Sequence, residues 1–281
     1  MKKLLCLSLV CLAGAAALMF TTLHRPPDGG DAGTPARVAL LAANETGTFY
    51  MQLKQGAQDA AENLNAALAI EIIGADGLED RIAELAEDGV EAAIVYCEDG
   101  KLTKDALSAL RAADIVSVTL LGSEGDRAVL SDLETDARAL ADAARAAGCD
   151  RALLAGENAA LAAAFANIWN GETLAEDGVG AENARPGDCI IALTAEATRA
   201  AMARTADIPL FGVDTGETRA EDLETGMIDG MLLPRPYAMG YRALEAALAG
   251  GKGTIYVPAK LVTPGTMYLP ENVGIVYPLI Q

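Results

Sequence analysis

Short, unbroken apolar runs that alternate with alanine-rich helical patterns constrain this chain more than any other feature. Residues 37–43 (RVALLAA) read as a strand, and a helix over 49–65 follows with Leu53, Ala57, Ala60 and Leu64 at helical spacing. Strand-like runs recur at 68–73, 92–96, 115–120, 152–155, 189–193, 209–213 and 227–233. Helical patterns at 79–87, 102–112, 134–147, 159–169 and 195–204 separate most of them. Strands that are apolar throughout, rather than alternately, belong to a sheet covered on both faces. A regular β/α order implies parallel pairing with right-handed crossovers. The expected architecture is therefore α/β, a doubly wound parallel sheet. In such sheets ligands bind outside the carboxyl ends of the strands.

The 281 residues suffice for one large domain or two linked lobes with a substantial core. Lys and Arg number 21 against 40 Asp and Glu, a formal charge of −19. That balance argues against nucleic acid and anionic lipid as partners. Lys2 and Lys3 precede the largely apolar stretch from Leu4 to Phe20, the layout of a signal peptide or an N-terminal membrane anchor. Residues 1–20 are read as that export segment, with cleavage and anchoring both open, and 21–36 as a flexible linker. Export to a periplasmic or cell-surface location follows. Cys97, Cys149 and Cys189 are scattered and read as small buried residues rather than a metal or disulfide framework.

Between Ile208 and Gly253 the chain reads IPLFGVDTGETRAEDLETGMIDGMLLPRPYAMGYRALEAALAGGKG. An apolar strand there stops on Asp214, which is thereby placed at the ligand edge of a sheet or at the cap of the next helix. Near the start stands VALLAANETGTFYMQLKQGAQDAAENL, in which Phe49 and Tyr50 open a helix beside a strand-end loop, either as ring contacts for a ligand or as core-facing residues at a helix start. These two blocks resemble the type I periplasmic solute-binding proteins, the group that includes ribose-binding protein and shares its fold with LacI-type regulator cores. The resemblance implies that Phe49 and Tyr50 stack on a sugar ring and that Asp214 accepts hydrogen bonds from ligand hydroxyls. It sets Tyr96 and Thr194 where relatives place polar ligand contacts, and Arg235 at the hinge beside the cleft. It also implies two doubly wound parallel-sheet lobes joined by a multi-strand hinge, with lobe 1 over 37–131 plus 234–262 and lobe 2 over 132–233 plus 263–281. The chain departs from the pattern at Leu121 and Gly122, where ribose binders carry an Asp-Arg pair, and has no Arg between Arg151 and Arg185.

No catalytic residue, metal ligand or cofactor is expected. His24, the sole histidine, lies in the linker, and no P-loop, nucleophile elbow or dinucleotide fingerprint follows a strand. The expected function is an extracytoplasmic solute-binding protein of an ABC importer, a monomer that takes a small, carbohydrate-like polar ligand between its lobes. An ABC permease or a membrane sensor protein is the expected partner. The alternative is a membrane-tethered sensory or scaffold domain whose degenerate ligand site binds a protein.

Overall fold

Val38, Leu40 and Ala42 turn to one side of the first strand, β1 (Ala36–Ala42), while Ala39 and Leu41 turn to the other, and all five are buried. Both faces of this strand therefore need a helical cover, which the rest of the chain supplies. The computed structural model describes residues 34–97, 99–176, 185–203, 208–213 and 220–277, almost all of them within the unit Ala36–Gln281. The reading of 1–20 and most of 21–36 thus concerns residues outside those described, as does Asp214. Among the described residues no helix is long and apolar enough to cross a membrane.

After β1 come α1 (Thr48–Asn63), β2 (Ala66–Ile72), α2 (Leu78–Glu87), β3 (Ala92–Tyr96), α3 (Gly100–Ala112), β4 (Val116–Leu120) and β5 (Arg127–Ser131). The chain continues through α4 (Leu133–Ala146), β6 (Arg151–Ala155), α5 (Ala159–Ile168), β7 (Glu172–Glu176), β8 (Asp188–Ala192) and α6 (Ala195–Met202). It ends with β9 (Leu210–Val213), α7 (Ala220–Glu224), β10 (Gly230–Leu233), α8 (Pro236–Leu248), β11 (Gly253–Val257), β12 (Lys260–Val262) and α9 (Pro270–Val276).

Two six-stranded sheets result. The first runs β2-β1-β3-β4-β5-β11 and the second β7-β6-β8-β9-β10-β12. Every pairing is parallel except β10 with β12. Apart from that last strand, the two orders are the same. In the first lobe, buried residues of α1 and α8 share one core with the sheet, and those of α2 and α3 share the other. In the second lobe α4 and α5 cover one face, and α6, α7 and α9 the other.

Three passages join the lobes: β5 to α4 at Asp132, β10 to α8 at residues 234–235, and β11 to β12 at residues 258–259. The third differs from the reading that kept 234–262 together. Lys260, Leu261 and Val262 pair with β10 and so extend the second sheet. A three-residue strand after Pro258 and Ala259 carries too short a pattern to reveal which sheet it joins.

Helix starts follow local chemistry. Asp99, Asp132, Asn158 and Thr194 each accept a backbone N–H in the first turn of α3, α4, α5 and α6 respectively.

Candidate ligand site at the strand reversal

The strand order reverses between β1 and β3 in the first sheet and between β6 and β8 in the second. At such a reversal, crossover helices leave to opposite faces and open a crevice beyond the carboxyl ends. Three of the residues singled out from sequence meet at the first of these points.

Beyond β1, the Asn44 side-chain oxygen accepts the Thr46 N–H at 3.3 Å, and Gly47 takes a φ of 91° that a side chain would resist. The chain then enters α1 with Phe49 and Tyr50 in its first turn. Tyr96 is the last residue of β3, paired in register with Ala42. Its ring stacks on Phe49 at 5.7 Å between centroids and 20° between planes, and on Tyr50 at 6.4 Å and 17°. One ring from the second strand of the reversal thus meets both aromatics that follow the first.

The two neighbours on α1 then divide. Phe49 is half-buried at the rim, whereas Tyr50 is 1% exposed and belongs to the core with Leu40, Leu53 and Met239. Consecutive helical residues point about 100° apart, so a pair in one turn does not present both rings to one crevice. In the ligand-free chain Phe49 is thus the partly exposed ring of the two, while Tyr50 packs in the core against Tyr96. The Tyr50 hydroxyl is buried with no hydrogen-bond partner among the described residues, and burial, then the charge of Glu45, pushes its pKa up.

At the reversal of the second sheet, Thr194 follows β8. Its Oγ1 accepts the Ala197 N–H at 3.1 Å, and its carbonyl accepts the Thr198 hydroxyl at 3.0 Å. The loop after β6 lies close by, since a Cβ on Gly156 would come within 2.8 Å of Thr194 Oγ1. Thr194 is therefore at the expected place with its oxygen already engaged as a helix cap. Arg235 is exposed at the second passage, just before Pro236 opens α8. Asp214 follows the last residue of β9 in sequence and lies outside the described residues.

Leu121, where the resemblance led to a charged pair, is half-exposed with a φ of 62°. It lines a groove of about 580 Å³ with Leu130, Leu133 and Tyr256 beside the first passage. The thiols of Cys97, Cys149 and Cys189 are free. Burial pushes Cys97 up to about 11 and raises Cys149 and Cys189 as well, which keeps them protonated at neutral pH.

Sequence reasoning passed over one acid of consequence. Asp136, in the first turn of α4, is 3% exposed and bonds across the lobe passages to the Ala259 N–H. Its only signal in sequence is a second Asp four residues after the capping Asp132, which reads as an ordinary helix-start acid.

No protein-family model and no curated protein sequence matches the chain. Solved structures do. An ABC transporter, LacI family transcriptional regulator from Brachyspira murdochii superposes with a TM-score of 0.65 at 15% identity, covering 88% of this chain and 100% of its own. An ABC transporter solute-binding protein from Agrobacterium vitis with bound D-fucose gives 0.63 at 14%, covering 86% and 100%. A mutant XylFII-LytSN complex contributes a chain at 0.65 and 14%, covering 82% and 98%. The fold is that of the type I periplasmic binding proteins. In the terms of that fold, Phe49 and Tyr96 stand at the rim of one lobe and Thr194 at the rim of the other.

Proposed function

We propose that this protein is an extracytoplasmic solute-binding protein of an ABC importer, closing its two lobes over a small, carbohydrate-like polar ligand. The observation that carries this reading is the stack of Phe49 on Tyr96 at the strand reversal of the first sheet. An aromatic face there suits the C–H face of a sugar ring, and its edge leaves room for hydroxyls to be met by polar groups. Asp214 is assigned the role of accepting ligand hydroxyls, since a charge-assisted bond of that kind contributes about 1.5–3 kcal/mol. Thr194 and Arg235 are assigned to the second lobe and the hinge. The D-fucose held by the structure from Agrobacterium vitis favours a monosaccharide as ligand. A permease that reads the closed form is the matching partner, and the apolar N-terminal stretch serves export. Chemistry is not part of the reading, in keeping with the absence of a catalytic motif in the sequence.

Closure follows from differential binding: a ligand that touches both lobes stabilises the closed arrangement over the open one. Thermal-shift screening of pentoses, hexoses, deoxy sugars and inositols, followed by calorimetric titration of the best, tests this. A stabilising sugar is expected, and Phe49→Ala is expected to weaken it about tenfold or more, by loss of roughly 1.5 kcal/mol of stacking. If the whole panel leaves the melting temperature unchanged, the transport reading fails.

A further inference from the structure

Asp136 is a buried carboxyl at the lobe passages. From the first turn of α4 its Oδ1 accepts the Ala259 N–H at 2.7 Å, and Ala259 lies between β11 of the first lobe and β12 of the second. One turn earlier, the Asp132 N–H donates to the Val257 carbonyl at 3.3 Å. The Asp132 carboxylate holds the Thr135 N–H and hydroxyl at 3.1 and 2.8 Å. The start of α4 therefore cross-links the first passage to the third.

Among the described residues no cation faces this carboxyl. α4 packs on α5, β9, β10 and β12. The first three contain no titratable side chain. β12 carries Lys260, but Ala259 and Leu261 pack in the cluster that holds Ala137 and Leu140, while Val262 packs in the cluster on the opposite face. Strand alternation therefore turns Lys260 away from α4. On α4 itself Arg138 bonds Glu134, and Arg235 of the second passage is exposed. Burial, only partly offset by the Ala259 N–H, pushes the Asp136 carboxyl up to about 6, and the charge of Asp132 adds to the rise.

We propose that Asp136 is a protonation-sensitive latch on the hinge. Protonated, it holds α4 against the passage at 258–259; ionised, it favours hinge arrangements in which water reaches the carboxylate. The sign follows from linkage: the packed arrangement has the higher proton affinity, so it is favoured as pH falls through about 6 and loosened as pH rises above it.

Amide exchange of the full chain, corrected for intrinsic rates, is the test, with peptides covering Ala259 and α4 followed at about pH 5 and about pH 7.5. Wild type is expected to lose protection there by roughly tenfold between the two. Asp136→Asn keeps an acceptor for Ala259 without the charge, so its protection is expected to be the same at both. Asp132→Asn, which keeps a good cap, is expected to move the wild-type transition to lower pH. A flat wild-type profile, or a transition that persists unchanged in Asp136→Asn, overturns the latch. Because no sugar enters the experiment, its failure leaves the ligand reading standing.

Discussion

Single residues in this protein are decided by which side of an element they leave. Phe49 and Tyr50 are neighbours, yet one reaches the rim and the other the core. Tyr50→Phe retains the ring against Tyr96 and removes a buried hydroxyl that has no partner among the described residues, so the ligand-free protein is expected to be as stable or up to about 1 kcal/mol more stable. Chemical denaturation reads this directly, and a loss of 2 kcal/mol or more would show that the hydroxyl is satisfied internally. Arg151 and Asp188 make the opposite case. They face each other in register on β6 and β8, nearly fully buried, with Nε to Oδ1 at 2.8 Å and a second bond from Nη2. The Arg151 bond holds the Asp188 carboxyl below its usual range. Its contribution to stability is therefore present above the unfolded value and lost as pH falls through the folded one. Asp188→Ala takes both bonds from a largely buried guanidinium that engages other groups as well, and is expected to cost about 3 kcal/mol, the lower end for breaking a buried pair. Asp188→Asn is expected to flatten the acid limb of a stability-against-pH curve.

At the scale of elements, the first lobe depends on how closely α1 and α8 approach. A Cβ on Gly56 would fall 2.0 Å from the Tyr237 carbonyl oxygen, and one on Gly240 would fall 1.9 Å from that of Leu53. Both obstacles are backbone, which has no rotamer to yield. Gly240→Ala is therefore expected to destabilise the lobe by about 3 kcal/mol, at the upper end of overpacking effects, measured by urea unfolding. Gly56→Ala should behave alike, and the double variant less than additively, because one helix separation relieves both clashes. Arg127 ends the same arrangement. Nearly buried at the start of β5, it donates to the carbonyls of Ala249 and Gly251 at 2.6 and 2.7 Å and to that of Ala246, completing the C-terminus of α8. A cation there meets the negative end of the helix dipole. This pairing also explains why β5 escaped a reading by hydropathy: RAVLS begins with an arginine whose partners lie more than a hundred residues later.

Over the whole molecule, an acid excess of −19 makes self-repulsion part of the energetics. Raising salt from about 0.02 to about 0.2 M shortens the screening length to below 10 Å and is expected to raise the melting temperature. A fall with added salt would mean that local ion pairs outweigh the repulsion. The two-lobed plan itself was largely legible. Strands such as AAIVY in β3 are buried at every position, so an unbroken apolar run with a helical pattern on either side could only belong to a covered parallel sheet. Besides β5, the strands that went unread were those where this signal fails: β7 is polar and at an edge, β11 is largely exposed, and β12 has three residues. At the candidate site, the placement of Phe49, Tyr96 and Thr194 at strand ends was legible because it needs only element order. The burial of Tyr50 and the capping role of the Thr194 oxygen depend on rotation about an axis and on neighbours elsewhere in the chain.

What sequence alone determined here is everything carried by local period and order: α/β layers, parallel strands, a crevice along their carboxyl ends, and aromatic residues beside it. Those features depend on hydrophobic patterning within a few turns or strands, where the physics is short-ranged. Tertiary structure decided which of two adjacent rings reaches the rim, which sheet receives Lys260 to Val262, and that an ordinary helix-start acid becomes a buried tie across the hinge. Each of these depends on which residues distant in sequence come to share one interior, and burial by a remote partner leaves no local trace in the order of residues.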